Sequence, residues 1–499
     1  MQKNFLAILV IFFGIVAAMA VMQSSLTDSS SAVSNATKWI GLGVAVFCFV
    51  RPKLGVMIVM IEAMTTDLLK KVATYYGTFS YETVAEVMGV VMVALLACFA
   101  GRLVQVTVGR DKFIVTEWVF YVVGAIIASA VFISMGGGLR GGQWAFNSGV
   151  YLGSGGLIVG MYRTREDRVK LMNLLLFLMS LWAVMALKQR FFGFADFQVA
   201  YHQSGLATAS GIAEWADYPN NMPRPLGFGS NRVGFYGFAI GLAFCYYQYG
   251  QVKSQQKMVY ITVILLFFSC LLLSAIKSAI TIAIITIIPL CLIGSKFKTL
   301  FLYGVCSGLL LAMIFGAEYL RDNMTHMNSF VKSTFGEAYS ISTFNPRLEG
   351  YMELTNPSNW TLFGMGRGTD VKSHDAFTRI LINAGGLVLV MVVAGAAIFM
   401  LYPHLQIWKM EKGPDRKLAG FILPTTLAIS VASLSGGLGI FAQPMPYLLS
   451  TGLGVVFATI VYSRENAVGE PVNETQGSET EVAQSEVVSL AQKAGRGLG

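Results

Sequence analysis

Four basic residues and one histidine lie beside glycine, proline or apolar stretches: Arg224, Lys277, Arg347, Arg367 and His374. Arginine binds phosphate bidentately, whereas lysine binds it as a point charge. Histidine titrates near neutral pH and can therefore accept or donate a proton. These residue types predict a site that binds a phosphate-containing anion and moves a proton beside it.

The first two cations differ in their surroundings. Arg224 lies in the sequence PRPLGFGSNR (223–232), where proline fixes φ and glycine lets a ligand approach the backbone, so we expect a positioned arginine. Its alternative role is to bind lipid phosphates or a neighbouring carbonyl. Lys277 stands in the apolar sequence LLSAIKSA (272–279), where a charge is costly and marks a functional site. The alternative is a lysine that snorkels to the interface.

A third group of residues occupies a long polar segment. Arg347 and Glu349 belong to the sequence NPRLEGY (345–351), and Arg367 belongs to WTLFGMGRG (360–368). Glu349 is a candidate general base. Backbone N–H groups of the glycines could receive a phosphate, but a glycine cluster alone is weak evidence and favours an ordinary turn.

The fourth group opens a late apolar run. Ser373 is a good helix N-cap, and Asp375 suits the positive end of a helix dipole. His374 between them is a candidate acid or base. Asp375, Arg379 and Asn383 recur at i, i+4 and i+8, which predicts a polar stripe facing a cavity. The alternative is a structural Asp375–Arg379 pair with a solvated His374.

Metal and cofactor chemistry is not indicated. The chain has no DxD, HExxH or Walker sequence. Its six cysteines fall in apolar runs without CxxC or zinc spacing: Cys48, Cys98, Cys245, Cys270, Cys291 and Cys306. We therefore expect no metal site, no cofactor and no disulfide framework.

The elements that position these residues are predicted to be membrane helices. The 499 residues are 55% apolar and only 13% charged, with a mean hydropathy of +0.62, which excludes an ordinary soluble enzyme. The apolar runs are continuous rather than alternating, so the fold class is all-α and polytopic rather than a β-barrel. The net charge of +9 comes from short clusters between apolar runs, which indicates membrane topology and no nucleic-acid partner.

Apolar runs bounded by charges, glycine or proline predict fourteen spans. The short second and third are alternatively one broken pair, so the predicted range is twelve to fourteen. The predicted spans are 4–22, 39–50, 54–66, 84–101, 115–134, 145–161, 171–187, 228–249, 258–275, 277–293, 299–316, 375–402, 418–436 and 446–462. The first span also fits a cleaved signal peptide, although its apolar run exceeds the usual signal core.

Charge in alternate loops predicts the orientation. One set of loops holds 17 basic and five acidic residues and is therefore expected in the cytoplasm with both termini. The opposite face then carries two long loops, 188–227 and 317–373, which are expected to be functional. This divides the chain into N-terminal helices (1–316), a large periplasmic loop (317–373), C-terminal helices (374–462) and a disordered cytoplasmic tail (463–499).

At these residues the chain resembles the O-antigen polymerase and O-antigen ligase superfamily of bacterial envelope glycosyltransferases. Residues 224–231 resemble the family's arginine, glycine and asparagine element before a span. Residues 272–279 are similar to its Thr/Ser-x-Ser-Arg-Gly element, with Lys277 where arginine is usual. Residues 347–368 resemble its arginine, tryptophan and Gly-x-Gly run, and His374–Asp375 its His-Asn or His-Ser pair.

The resemblance implies a GT-C-like fold in the bacterial inner membrane. It also implies transfer of a glycan from undecaprenyl diphosphate to an acceptor hydroxyl at the periplasmic face, without metal or nucleotide. The implied diphosphate ligands are Arg224, Lys277, Arg347 and Arg367; the implied base is His374, with Glu349 or Asp375 as competitors. Lysine at position 277 cannot bind a phosphate through two parallel hydrogen bonds, as the family's arginine can. Because aspartate rather than asparagine or serine follows His374, the role of residue 375 stays open.

Three functions remain open from the sequence. A polymerase would use a second lipid-linked repeat as acceptor, and a ligase would use lipid A core. A polysaccharide flippase or secondary transporter would place charges and broken helices near the bilayer centre, whereas these residues cluster at one face. We favour the polymerase. Beyond the donor, the acceptor and the bilayer, such an enzyme's partners would include a chain-length regulator or a flippase.

Overall fold

The structure is a computed structural model that describes residues 32–134, 145, 149–206, 225–229, 232–274, 352–365, 376–435 and 444–467. These residues form helices and connecting loops, with no strand among them. The α-helices are α1 (Ala32–Val50), α2 (Pro52–Tyr76), α3 (Tyr81–Thr107), α4 (Val115–Ser134), α5 (Tyr151–Met161), α6 (Arg165–Phe192), α7 (Asp196–Gln203), α8 (Gly237–Tyr249), α9 (Ser254–Ser274), α10 (Ala376–Ala384), α11 (Gly386–Lys409), α12 (Pro414–Ser435) and α13 (Met445–Ala467).

Five of the described helices are long and apolar enough to cross a membrane. They are α3, α6, α11, α13 and the Ser254–Leu271 part of α9. Shorter apolar helices occur within α1, α4 and α5. The all-helical, polytopic membrane class predicted from composition is confirmed, whereas the count of twelve to fourteen spans stays a prediction.

The predicted second and third spans are two separate helices and neither is short. The helices α1 and α2 contain 19 and 25 residues and meet at Arg51. Pro52 occupies the first turn of α2, where its missing N–H costs nothing. The residue before a proline avoids the helical region, and Arg51 accordingly has φ −128° and ψ 65°. The predicted end at residue 66 is also wrong, because α2 continues to Tyr76.

The predicted span 375–402 is interrupted. Gly385 has φ +93°, a conformation that favours glycine, and separates α10 from α11. A Cβ at Gly385 would lie 2.4 Å from the Leu362 carbonyl oxygen. The break therefore exists where the 352–365 segment docks. Asn383 lies in the last turn of α10 and is buried; of the rest of the predicted stripe, Asp375 and the Arg379 side chain are outside the described residues.

Glycines allow the central helices to approach closely, as expected for intramembrane packing. In α5, a Cβ at Gly155 would lie 2.4 Å from the Phe120 ring and 3.0 Å from the Ser450 carbonyl oxygen. The Ser154 and Ser450 hydroxyls are 2.8 Å apart. Helix α5 is therefore clamped between α4 and α13.

Charged residues from four segments meet at one end of the bundle, which we call the ion-pair end. The pairs are Lys53–Asp167 at 2.7 Å, Arg102–Glu117 at 3.0 Å, Arg168–Asp415 at 3.5 Å, and contacts of Asp111 with both Arg102 and Arg163. All four segments belong to the loops, or the adjoining helix ends, that the charge pattern assigned to one side. Their location in the cytoplasm stays a prediction.

Candidate functional site

The candidate site lies at the end of the bundle opposite the ion-pair end, where α2 and α6 finish. The sequence PLGFG (225–229) forms a loop here, and all five of its residues are buried. A buried loop must find hydrogen-bond partners for its backbone. Two polar side chains, Lys71 of α2 and Gln189 of α6, provide them.

Lys71 binds the second half of the loop. Its side chain is fully buried, and Nζ donates to the carbonyl oxygens of Phe228 at 3.0 Å and Gly229 at 2.6 Å. A lysine ammonium has three donors, so one N–H remains after these two bonds. Within the described ranges, both acceptors of the ammonium are neutral carbonyls.

Gln189 binds the first half of the loop. Its Nε2 donates to the Gly227 carbonyl oxygen at 2.7 Å, and its Oε1 accepts from the backbone N–H groups of Leu226 and Gly227, both at 2.8 Å. This side chain is also fully buried. We call the 225–229 loop together with Lys71 and Gln189 the cradle.

Gly227 gives the cradle its shape. Its φ is +62°, and a Cβ there would lie 1.8 Å from Nε1 of Trp182. The Trp182 ring packs against Phe228 with centroids 5.7 Å apart. Only glycine satisfies both the backbone conformation and the close approach of the indole.

Gly227→Ala is expected to lower the free energy of unfolding by at least about 2 kcal/mol, because backbone strain and overpacking add. Gly109→Ala is the matched control: φ is +79° there too, but nothing lies within 4 Å of the added Cβ. Thermal unfolding of the two purified variants measures the difference. Equal losses would show that the Trp182 contact does not constrain the cradle.

A buried ion pair and a buried histidine adjoin the cradle. Lys70 Nζ lies 2.8 Å from Asp67 Oδ1, and both side chains are about nine-tenths buried. His202, in the short helix α7, is 1% exposed. Burial, reinforced by the positive charge of Lys71 and partly opposed by Asp67, lowers the pKa of His202 to about 4. The imidazole is therefore neutral at pH 7.

Basic residues are buried near the cradle within the part of the chain that the structure describes. They are Lys70 and Lys71 of α2 and Arg190 in the last turn of α6, and Asp67 forms an ion pair with Lys70. Buried charge is costly unless it is paired. Lys71, whose two hydrogen-bond acceptors are neutral carbonyls, lies beside backbone held in place and can bind an anion.

The sequence-predicted site residues lie outside the described residues. These are Arg224, Lys277, Arg347, Glu349, Arg367, His374 and Asp375. Arg224 directly precedes Pro225, the first residue of the cradle loop. The predicted proximity of the other residues to Arg224 stays a prediction.

The structure does bring together the described parts of the third and fourth predicted groups. The backbone N–H of Met365 donates to the Ile382 carbonyl oxygen at 2.7 Å, and that of Gly386 donates to the Thr361 carbonyl oxygen at 2.8 Å. Arg367, His374 and Asp375 fall between Met365 and Ala376 in the sequence. Both flanks of that ten-residue stretch therefore belong to one packed unit with α10 and α11.

Sequence reasoning missed the polar side chains of α2 because it ended the third span at residue 66. Their spacing was the available signal: Glu62, Thr66, Lys70 and Thr74 recur every four residues, with Lys71 on the same buried side. Gln189 and His202 carried no comparable signal, since each is a single polar residue whose partner is distant in the sequence.

These features define an all-helical membrane protein with a buried, basic site at one end of its bundle. The chain matched no family model, no curated protein and no solved structure in the corresponding comparisons.

Proposed function

We propose that this protein is a membrane glycosyltransferase of the O-antigen polymerase type. It transfers a glycan from undecaprenyl diphosphate to a sugar hydroxyl at the periplasmic face of the bacterial inner membrane, with inversion and without metal. The observation that carries the proposal is the cradle, because a buried lysine and a buried glutamine hold the backbone immediately after Arg224 against two helices.

The loop that begins one residue after Arg224 is held in place by Lys71 and Gln189. Preorganised charge stabilises a developing anion without reorganisation at the moment of reaction, so a cation beside a fixed loop supports recognition of a phosphoryl group. The buried positive charge of Lys71, which hydrogen-bonds neutral carbonyls, favours the same ligand class. The order of the motifs along 224–400 supports the choice of a lipid-linked glycan donor.

In the proposed reaction, the acceptor hydroxyl attacks C1 of the donor sugar as the C1–O bond to the diphosphate breaks. Arg224, Lys277 and Arg347 stabilise the charge that grows on the leaving diphosphate. His374 accepts the hydroxyl proton, with Glu349 or Asp375 as competing bases. The electron pair of the broken bond leaves with the diphosphate, and a single displacement inverts the anomeric carbon.

A transporter is the second candidate, because α10 and α11 form an interrupted helix and such helices line transport sites near mid-bilayer. The position of the break argues against it. Helix α11 alone contains 24 residues, or about 36 Å at 1.5 Å per residue, which already spans the hydrocarbon core. The break at Gly385 therefore falls at the edge of the bilayer.

The glycan profile of a deletion strain tests the proposal. Single repeats on lipid core are expected, because loss of a polymerase leaves repeats that are still ligated. Long chains retained on undecaprenyl diphosphate would instead identify a ligase. Accumulation of lipid-linked repeats on the cytoplasmic side would identify a flippase, and an unchanged profile with normal chain lengths would overturn the glycosyltransferase assignment.

A further inference from the structure

Exposed apolar side chains are concentrated in the 352–365 segment, which contains two short 3-10 turns, Glu353–Thr355 and Pro357–Asn359. Phe363 is 73% exposed and Leu362 is 60% exposed, and Trp360 is about half exposed. Met352 and Met365 are exposed as well. A water-exposed loop rarely keeps so many large apolar side chains together.

The backbone that carries these side chains is fixed by hydrogen bonds. The Trp360 indole donates to the Leu354 carbonyl oxygen at 2.7 Å. The Asn359 amide donates to Glu353 Oε2 at 2.8 Å. With the bonds of Thr361 and Met365 to the α10–α11 junction, these contacts give the segment one defined conformation. The exposure of Phe363 and Leu362 is therefore built into the fold.

The apolar surface of the segment continues onto α11. A Cβ at Gly386 would lie 3.1 Å from the Trp360 ring, so the indole packs directly on the first residue of that helix. The next turns of α11 expose Leu387, Val390 and Met391. Helix α11 is one of the five helices able to cross a membrane, and most of its apolar window is not buried by protein. That exposed side of α11 is the surface that lipid would cover.

We infer that the 352–365 segment rests in the membrane–water interface, with Trp360, Leu362 and Phe363 inserted among lipid headgroups and upper acyl chains. Tryptophan is enriched at this depth, and the Leu354 carbonyl oxygen already satisfies the indole N–H. The exposed residues that precede Trp360 include the polar Glu353, Thr355 and Ser358, whereas Leu362 and Phe363 follow it. The end of the segment from Trp360 is therefore expected in lipid and the polar part before it in water, and this assignment does not depend on the proposed function.

Spin labels on single cysteines test the inference in the full chain, reconstituted one copy per phospholipid nanodisc without polyprenyl lipid. Phe363→Cys places a label in the apolar part of the segment, and Ser358→Cys is the matched control in its polar part. Both sites are exposed, so neither substitution disturbs the core. The label at 363 is expected to collide with oxygen and to lose most of its collisions with a water-soluble nickel chelate, whereas the label at 358 keeps them.

Equal access of the nickel chelate to both labels would overturn the inference. Protection at 363 that appears only after undecaprenyl diphosphate is added would also overturn it, because the occupant would then be the donor's chain. A second measurement does not require removal of the native cysteines. Lipids brominated near the headgroup should quench the tryptophan emission of the native protein more than that of Trp360→Phe. Identical quenching of the two proteins would contradict insertion.

Discussion

Arg224→Ala is expected to abolish polymer formation while the protein still inserts and folds. Loss of one cation from a leaving diphosphate costs about 2–4 kcal/mol in the barrier, or about 10²–10³-fold in rate. Arg224 directly precedes a loop fixed by Lys71 and Gln189, which is the reason for placing its role in the donor site. Turnover of purified protein on synthetic lipid-linked repeat measures the effect.

Two variants control for charge and for position. Arg224→Lys keeps the charge but loses the bidentate fork, so intermediate turnover is expected. Arg110→Ala removes an exposed arginine near the ion-pair end and should leave turnover unchanged.

We expect Arg347→Ala to resemble Arg224→Ala, and Lys277→Arg to remain active. Full activity of Arg224→Ala would remove the cradle from the donor site.

His374→Ala is expected to lower turnover by about 10²–10⁴-fold while donor binding stays largely intact, because the base acts on the acceptor and the diphosphate is bound by cations. Donor affinity and turnover of the same purified variant separate the two effects. If His374 only begins a helix, expression, thermal stability and donor binding should fall together.

His202→Ala is the matched comparison, since His202 is buried beside Lys71 and is neutral at pH 7. Loss of turnover in His202→Ala, with near-normal turnover in His374→Ala, would assign the role of base to His202 beside the cradle. Near-normal turnover in both variants would leave Glu349 or Asp375 as the base.

The sequence by itself determined the class of this protein. Composition and continuous apolar runs required an all-helical membrane fold, because a bilayer leaves backbone groups no partners except within a helix or a closed barrel. The pattern also located several elements closely: the span predicted at 115–134 coincides with α4. Local signals sufficed here because helix formation in lipid depends on residues near one another in the sequence.

Tertiary structure alone decided the break at Gly385 and the assembly of the cradle. The pair Gly385-Gly386 permits a helix to end but does not require it in an apolar run, and the docking of Leu362 and Gly364 supplies the reason for the break. Lys71 and Phe228 are 157 residues apart, yet the lysine's charge and the loop's unpaired carbonyls satisfy each other. Such pairings depend on which distant segments a helix meets, so a buried lysine and a solvated one are indistinguishable until the chain is folded.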